Sequence, residues 1–389
     1  LTSEDLSSGI LKRLKEYIQD EAVPAAVITI PAAFKNNQID ATRKAAKLAG
    51  INYVEMLQEP ISAAMAYGVE NTNQDGFWLV FDFGGGTFDA ALLKVEEGII
   101  KVVDTEGDNY LGGKNLDYAI VDQILIPHIQ EEFEIDNLLS DDLSGAGFRN
   151  SIKYYAEEIK NNLSLQTEHS LYVDPGDCGE DDNGDEIEID LELTRDELAP
   201  VMIPIFQKAI DCCKTLLTRN NLDGNSLATL ILVGGPTLSP IVREMLAEQI
   251  CTPNTTMDPM TVVARGAALY ASTLSLPDDI VDEARDRTKV QLEVAHAAST
   301  VEEMEFVAIK TLPEKTEGVI PDGLMVQIAR NDNAWESGKV ALNELGDVID
   351  VLLAAGKTNL FTIKVFDAVG NPVECEPSSF SIIQGSVVG

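Results

Sequence analysis

The sequence predicts an α/β protein closed by a C-terminal β sandwich. Three observations carry this. Up to about residue 274, short β-branched apolar runs alternate with longer stretches of helical period. Near residue 276 the composition turns acidic and proline-containing, as in a linker. After residue 290, apolar and polar residues alternate in short runs separated by turn residues, with almost no helical pattern.

The elements follow in order. Residues 3–20 read as a helix, with Ser3 the expected N-cap and Leu6, Ile10, Leu14, Tyr17 and Ile18 recurring on one face. Val27-Ile28-Thr29-Ile30 is a buried strand ended by Pro31, and residues 36–49 a helix stopped by Gly50. A short strand at 52–57 leads to a helix from about Pro60 to Tyr67, with Pro60 in its first turn. Trp78-Leu79-Val80-Phe81 is a strand, Gly84-Gly85-Gly86 a turn, 88–95 a second strand and 99–105 a third. Helices are expected at 114–134 and 143–164, and a strand pair over 171–190 around an acidic tip at 174–185. A long helix at 194–219, a strand at 229–233 and helices at 238–250 and 259–274 complete this region.

Residues 275–289 are the expected linker. Strands are then expected at 290–295, 304–311, 324–330, 338–343, 347–353, 359–367 and 379–384, with turns at Asp332-Asn333 and Val369-Gly370-Asn371-Pro372. Leu360, Thr362 and Lys364 alternate with Phe361, Ile363 and Val365, a period of two. A sandwich of about 100 residues fits this spacing.

Bulk properties narrow the class. A chain of 389 residues exceeds one core, so two or three folded units are expected. Hydrophobic residues make up 45%, which argues against wholesale disorder. The formal net charge of −37 repels phosphate backbones, so no nucleic-acid partner is expected. Cys178, Cys212, Cys213, Cys251 and Cys375 form no CxxC pair, which reads as thiols used as small hydrophobes in a reducing, cytoplasmic compartment. His128, His169 and His296 have no metal-ligand spacing. No signal peptide or apolar run of transmembrane length is present, so no membrane partner is expected. The chain begins Leu1-Thr2-Ser3-Glu4 without a methionine, for which a cut fragment is the simplest reading.

The sharpest chemical signal is Asp82-Phe83-Gly84-Gly85-Gly86-Thr87-Phe88-Asp89 between two apolar strands. Consecutive glycines let backbone N–H groups converge on an anion without obstruction by side chains. Thr87 adds a hydroxyl donor, and Asp82 at the strand end is placed to hold Mg²⁺ through water. No Gly-Lys-Ser/Thr follows, so this is not a Walker A loop. The plain alternative is a glycine-rich hairpin with no ligand. Leu232-Val233-Gly234-Gly235-Pro236 is a second strand-to-glycine turn opening a helix, and Gly107-Asp108-Asn109-Tyr110-Leu111-Gly112-Gly113 a third. Glu59-Pro60-Ile61-Ser62-Ala63-Ala64 places a carboxylate just before a small-residue helix.

Together with Val27-Ile28-Thr29-Ile30-Pro31-Ala32-Ala33-Phe34, these motifs resemble, in order and spacing, the 70-kilodalton heat-shock chaperone family, a branch of the actin-like (ribonuclease H-like) ATPases and sugar kinases. The resemblance runs from residue 1 to about 274 and implies a partial nucleotide-binding domain there, with the outer subdomain of its second lobe within 114–228. The first hundred-odd residues of the family's nucleotide domain, with its first phosphate loop and a catalytic lysine, have no counterpart, so this chain alone is expected to hydrolyse ATP poorly. By resemblance, Gly84, Gly85, Gly86 and Thr87 contact the β and γ phosphates of ATP or ADP. Asp82 and Asp89 help hold Mg²⁺ or orient the attacking water, and Glu59 lies near that water. Gly112 and Gly113 approach the nucleoside and phosphates; Glu157, Lys160 and Ser164 match the adenosine-contacting helix, and Gly234 and Gly235 the adenosine-side turn. Read as residues alone, Glu157 and Lys160 are an exposed charged helix face. The implied partners are nucleotide and either unfolded polypeptide or a co-chaperone.

The departures are specific. Asn161 and Leu238 stand where the family places arginines flanking the adenine ring, and losing each stacking cation weakens adenine binding by about 0.5–2 kcal/mol. Pro236 stands for a usual serine and Lys114 for a usual acidic residue. The stretch 277–289 is acidic where the family has an apolar linker, and the strands after 290 carry no matching motif. Two functions therefore stand side by side: an ATP-binding, ATP-hydrolysing chaperone-like protein, favoured by the 82–89 hairpin and Glu59; and a non-enzymatic actin-like scaffold, favoured by the substituted adenine site and the acidic linker. A sugar kinase is disfavoured by the match across Ala32-Ala33-Phe34 and Glu59-Pro60.

Overall fold

The computed structural model describes residues 2–18, 23–70, 75–96, 99–140, 142–274 and 285–384. The chain divides into two compact units, one of residues 1–74, 96–100 and 264–389, the other of 75–95 and 101–263.

In the first unit, α1 (Ser3–Glu16) is capped one residue earlier than the sequence predicts. The Thr2 hydroxyl accepts from the Asp5 N–H at 3.3 Å, and the Asp5 carboxylate accepts from the Thr2 N–H at 2.8 Å, a reciprocal box that Ser3 cannot make. β1 (Ala25–Ile30) and β2 (Tyr53–Gln58) pair in parallel through the crossover helix α2 (Asn36–Leu48). Gly50, at φ 76°, ends α2 as expected, and the Ile51 N–H reaches back to the Ala46 carbonyl at 3.0 Å. Lys15 donates to the carbonyls of Ala49 and Gly50, a cation at the negative end of that helix. α3 (Glu59–Glu70) follows β2 directly. A Cβ on Gly266 would lie 1.7 Å from the Ser62 carbonyl oxygen, so only glycine allows that approach to α3.

The strands after 290 fall into two sheets. One has the order β10 (Ser299–Thr300), β18 (Ser379–Gln384), β15 (Thr358–Phe366), β12 (Met325–Arg330), β13 (Val340–Ala341), with β16 (Pro372–Val373) beside β15. The other runs β14 (Asp347–Leu352), β11 (Met304–Thr311), β9 (Val290–Ala295), β17 (Cys375–Glu376). Residues of both, among them Leu292, Val307, Val351, Ile328, Phe361 and Ile382, share one hydrophobic core. Arg330 of β12 donates to the Leu352 carbonyl of β14 at 2.8 Å, a hydrogen bond from one sheet to the other. Residues 275–284, most of the expected linker, lie outside the described residues. Residues 285–289 are held against the strands: the Asp286 N–H donates to Glu376 at 2.7 Å.

The second unit is built on a four-stranded sheet of order β5 (Ile99–Asp108), β4 (Phe88–Glu96), β3 (Gly76–Phe83), β8 (Leu227–Val233), with β3 antiparallel to β4 and parallel to β8. Leu79, Phe81, Phe83, Ala90 and Leu92 of the sheet share one core with α4 (Gly113–Ile120), α7 (Asp142–Leu165), α8 (Arg195–Arg219) and α9 (Pro240–Gln249). The helix expected over 114–134 is interrupted. α4 widens into a π-helical turn at Val121–Leu125, and α5 (Ile126–Ile129) completes it. Pro127 has no N–H and crowds the preceding turn, which the wider turn accommodates. A short α6 (Asp136–Ser140) precedes α7, and β6 (Glu168–Val173) pairs with β7 (Ile189–Thr194) ahead of α8. α10 (Val262–Ala271) falls within the helix expected at 259–274.

All five cysteines are free thiols. Burial pushes Cys178 and Cys375 up to about 11 and Cys213 higher still, so these act as packing groups. Among the described residues no helix is long and apolar enough to cross a membrane.

Candidate functional site

The second unit gathers three glycine turns that are far apart in sequence. The hairpin between β3 and β4 is closed by the Gly84 N–H donating to the Thr87 carbonyl at 3.0 Å. Below it Phe81, Phe83 and Phe88 interlock, and Phe83 meets Phe206 of α8 edge-on at 5.3 Å, which fixes the loop to the core. The start of α4 docks on this loop. The Gly113 N–H donates to the Gly84 carbonyl at 2.9 Å, and the Lys114 N–H to the Gly85 carbonyl at 2.8 Å. A Cβ on Gly112 would lie 2.6 Å from the Gly86 nitrogen, so no side chain fits there. The third turn approaches from β8. Gly234, at φ 91°, would bring a Cβ to 2.2 Å from the Phe83 carbonyl oxygen. Its own N–H donates to the Pro259 carbonyl at 3.0 Å, and the buried Thr237 hydroxyl donates to its carbonyl at 2.6 Å. A Cβ on Gly113 would lie 3.3 Å from Pro236 Cγ. Around the exposed Gly85 a Cβ would meet nothing within 4 Å, so the hairpin's tip faces open space.

Two carboxylates stand at the mouth of the hairpin. Asp82 and Asp89 are directly opposed across β3 and β4, so their side chains leave the same face. Burial alone holds the Asp89 carboxyl above its usual value. Gly107 clears the space beside it: a Cβ there would lie 3.1 Å from Asp89 Oδ1. Opposed carboxylates, one of them desolvated, suit a cation. Mg²⁺ is commonly held by one or two carboxylates together with substrate phosphates, so the pair fits that ion. Among the described residues no group of three or more His, Cys, Asp or Glu is arranged to hold a metal.

The α7 residues are arranged otherwise than an exposed charged face. Lys160 is buried, and its ammonium lies 2.5 Å from Asp117 of α4. Lys153 reaches the other oxygen of Asp117 at 3.1 Å and Glu157 at 4.0 Å. Glu157 is half exposed, and the Ser164 hydroxyl donates back to the Lys160 carbonyl at 2.8 Å. Asp117 and Lys153 were not singled out from the sequence. The seven-residue spacing of Lys153 and Lys160 puts them on one helix face, which was the available signal. Gly235 lies under Met260, whose sulfur would come 2.9 Å from a Cβ there; this exposed methionine also escaped the sequence reading. Glu59 opens α3 and is half-buried; it belongs to the first unit, apart from the hairpin residues, which belong to the second.

Comparison with known proteins agrees with this architecture. The family model described as Hsp70 protein matches residues 1–318, which carries the likeness past residue 274 and through β9 and β11. The mitochondrial-type heat shock protein 70 of Encephalitozoon cuniculi (strain GB-M1) is 36% identical over 273 residues, 69% of this chain and 44% of that relative. The chain thus spans less than half the length of the curated relative it matches. From the family match and the α/β sheets described above, the chain belongs to the 70-kilodalton heat-shock protein family and has that family's actin-like ATPase fold.

Proposed function

We propose that this chain binds ATP and ADP with Mg²⁺ and serves an ATP-hydrolysing molecular chaperone of the 70-kilodalton heat-shock type, with unfolded polypeptide or a co-chaperone as its macromolecular partner. The observation that carries this is the contact of Gly112 with Gly86 and of Gly234 with Phe83, glycine-only approaches that line one open-faced hairpin with backbone rather than side chains. Such a surface suits phosphate, which needs N–H donors and close approach. In this reading Gly84, Gly85, Gly86 and Thr87 hold the β and γ phosphates, and Asp82 and Asp89 hold Mg²⁺. The ion, when bound, neutralises charge developing on the phosphates. Asp82 also orients the attacking water. Gly113, Glu157, Ser164 and Gly235 face the nucleoside, while Lys160, buried against Asp117, anchors the helix that carries Glu157 and Ser164, and the compartment is cytoplasmic. Melting of the protein with and without millimolar Mg-ATP tests the reading. Ligand at a hundred times its Kd stabilises by about 2.7 kcal/mol, a readable shift; no shift at all removes the nucleotide reading and leaves the fold.

A second reading, a non-enzymatic scaffold, is favoured by Asn161 and Leu238, which supply no cation to an adenine ring. The region after 290, read as a β sandwich, gives it a contact surface. Met304, Phe306, Val348 and Leu352 are exposed and apolar on the outer face of β11 and β14.

A further inference from the structure

Lys114 is the second residue of α4, and its side chain runs along the glycine hairpin. A Cβ on Gly86 would lie 3.7 Å from the ammonium nitrogen and 3.9 Å from Cδ and Cε. The residue is exposed and makes no ion pair among the described residues. Its placement is unfavourable without a ligand. The first turn of a helix carries the positive end of the dipole, where a cation is disfavoured by about 0.3–1 kcal/mol. Carboxylates are plentiful, with 65 Asp and Glu against 28 Lys and Arg, yet this ammonium is held over a phosphate-type loop. Beside it, the Cβ direction of Gly85 is empty for 4 Å. The first N–H groups of α4 are already spent on the Gly84 and Gly85 carbonyls, so the ammonium, not the helix end, is the free cationic donor here.

We propose that Lys114 is a phosphate-binding residue, its ammonium taking an oxygen of the nucleotide's β or γ phosphate from the α4 side of the hairpin. This rests on the nucleotide reading above. It adds a contact that the family pattern does not supply, because the residue usual at this position is acidic. An ammonium at this place neutralises part of the phosphate charge without a metal ion. Nucleotide binding by this chain therefore depends on Mg²⁺ less steeply than two carboxylates alone would allow. Those carboxylates repel phosphate when no ion sits between them.

Calorimetric titration of the protein with ATP, ADP, adenosine and inorganic triphosphate, in excess Mg²⁺ and again in a chelator, tests it. Lys114→Met keeps the apolar stem along Gly86 and removes the charge; Lys114→Arg keeps the charge. A charge-assisted hydrogen bond lost from a phosphate weakens binding about tenfold or more. The expected result is that Lys114→Met loses that factor for ATP and ADP, loses more in chelator than in Mg²⁺, and leaves adenosine binding unchanged, with the melting temperature of the free protein unchanged or slightly raised because a cation has left the first turn of α4. Lys114→Arg should restore most of it. Triphosphate binding that falls in parallel with ATP assigns the effect to phosphate rather than to the base. Wild-type affinity for ATP in Lys114→Met under both conditions overturns the proposal while leaving the nucleotide reading intact. An equal loss for adenosine also overturns it, since that is a general disturbance of the site. If the wild-type protein binds no ATP at all, the nucleotide reading fails, and Lys114's role fails with it.

Discussion

Gly112 rests with its α-carbon against the peptide of Gly86: a Cβ on Gly112 would lie 2.6 Å from the Gly86 nitrogen and 2.7 Å from its Cα. Both partners are backbone and cannot swing aside. Gly112→Ala should therefore push α4 off the hairpin, at a cost of about 1–3 kcal/mol as for other overpacked sites. Gly85 is the counter-case, because its Cβ would meet nothing within 4 Å. Gly85→Ala should leave the melting temperature of the free protein unchanged or slightly raised, by up to about 1 kcal/mol of lost unfolded-state freedom. It should nevertheless reduce the melting shift with Mg-ATP, since the added methyl stands where phosphate would approach. If Gly85→Ala keeps the full shift, the hairpin tip is not where the ligand sits.

The contrast shows what the sequence can and cannot say. That 82–89 forms a glycine hairpin is legible locally, from two apolar strands and three consecutive glycines. Which glycines carry packing and which face open space is not. The three turns lie far apart in the chain and meet only through the sheet order β5, β4, β3, β8. Lys160 makes the same point on a helix. Periodicity places it on a face with Lys153, but what opposes that face is Asp117 of α4, which no spacing within α7 reveals. Period two served well in β15, where Phe361, Ile363 and Val365 are buried and Leu360 and Lys364 exposed. It overreached at 338–343, where only Val340–Ala341 pairs as a strand.

Asp89 carries a pH signature. Burial raises its carboxyl above the ordinary 3.8, so the folded chain keeps this proton to a higher pH than the unfolded chain does. Stability from this group is thus greatest below the ordinary value and falls as pH rises through the folded value. Asp89→Asn should raise the melting temperature of the nucleotide-free protein at neutral pH, with the gain closing as pH falls toward 3.8. The same variant should lose most of the Mg-ATP shift. A gain that persists unchanged at acid pH would assign the effect to packing rather than to charge.

The Asp117 carboxylate joins α4 to α7 through a buried ammonium, and the two lysines on it are not equivalent. Lys160 is 8% exposed and Lys153 28%. Removing one partner of a buried pair strands the other, at about 3–5 kcal/mol, whereas exposed pairs contribute about 0–1 kcal/mol. Asp117→Ala should therefore destabilise the second unit severely, and Lys153→Ala little. Lys160→Met should cost less than Asp117→Ala, because Lys153 still neutralises the carboxylate. Chemical denaturation of the three variants orders them; equal effects of Lys153→Ala and Asp117→Ala would show that the pair is not buried in solution.

The strands after 290 offer a test of register that is independent of any ligand. Phe361 is fully buried in β15, stacked on Phe380 at 5.1 Å and met edge-on by Trp335 at 5.9 Å. Its neighbour Leu360 points the other way and is 45% exposed. Phe361→Ala removes an aromatic ring shared by both partners and should cost about 3–5 kcal/mol. Leu360→Ala, on the solvent side, should stay within about 0.5 kcal/mol of wild type. Trp335 gives the readout, because loss of the Phe361 edge contact changes its surroundings and shifts its fluorescence. A slip of one residue in the pairing of β15 with β12 and β18 would exchange the two faces. In that case Leu360→Ala becomes the damaging change and Phe361→Ala the mild one, and the register of Ile328 opposite Ile363 fails with it.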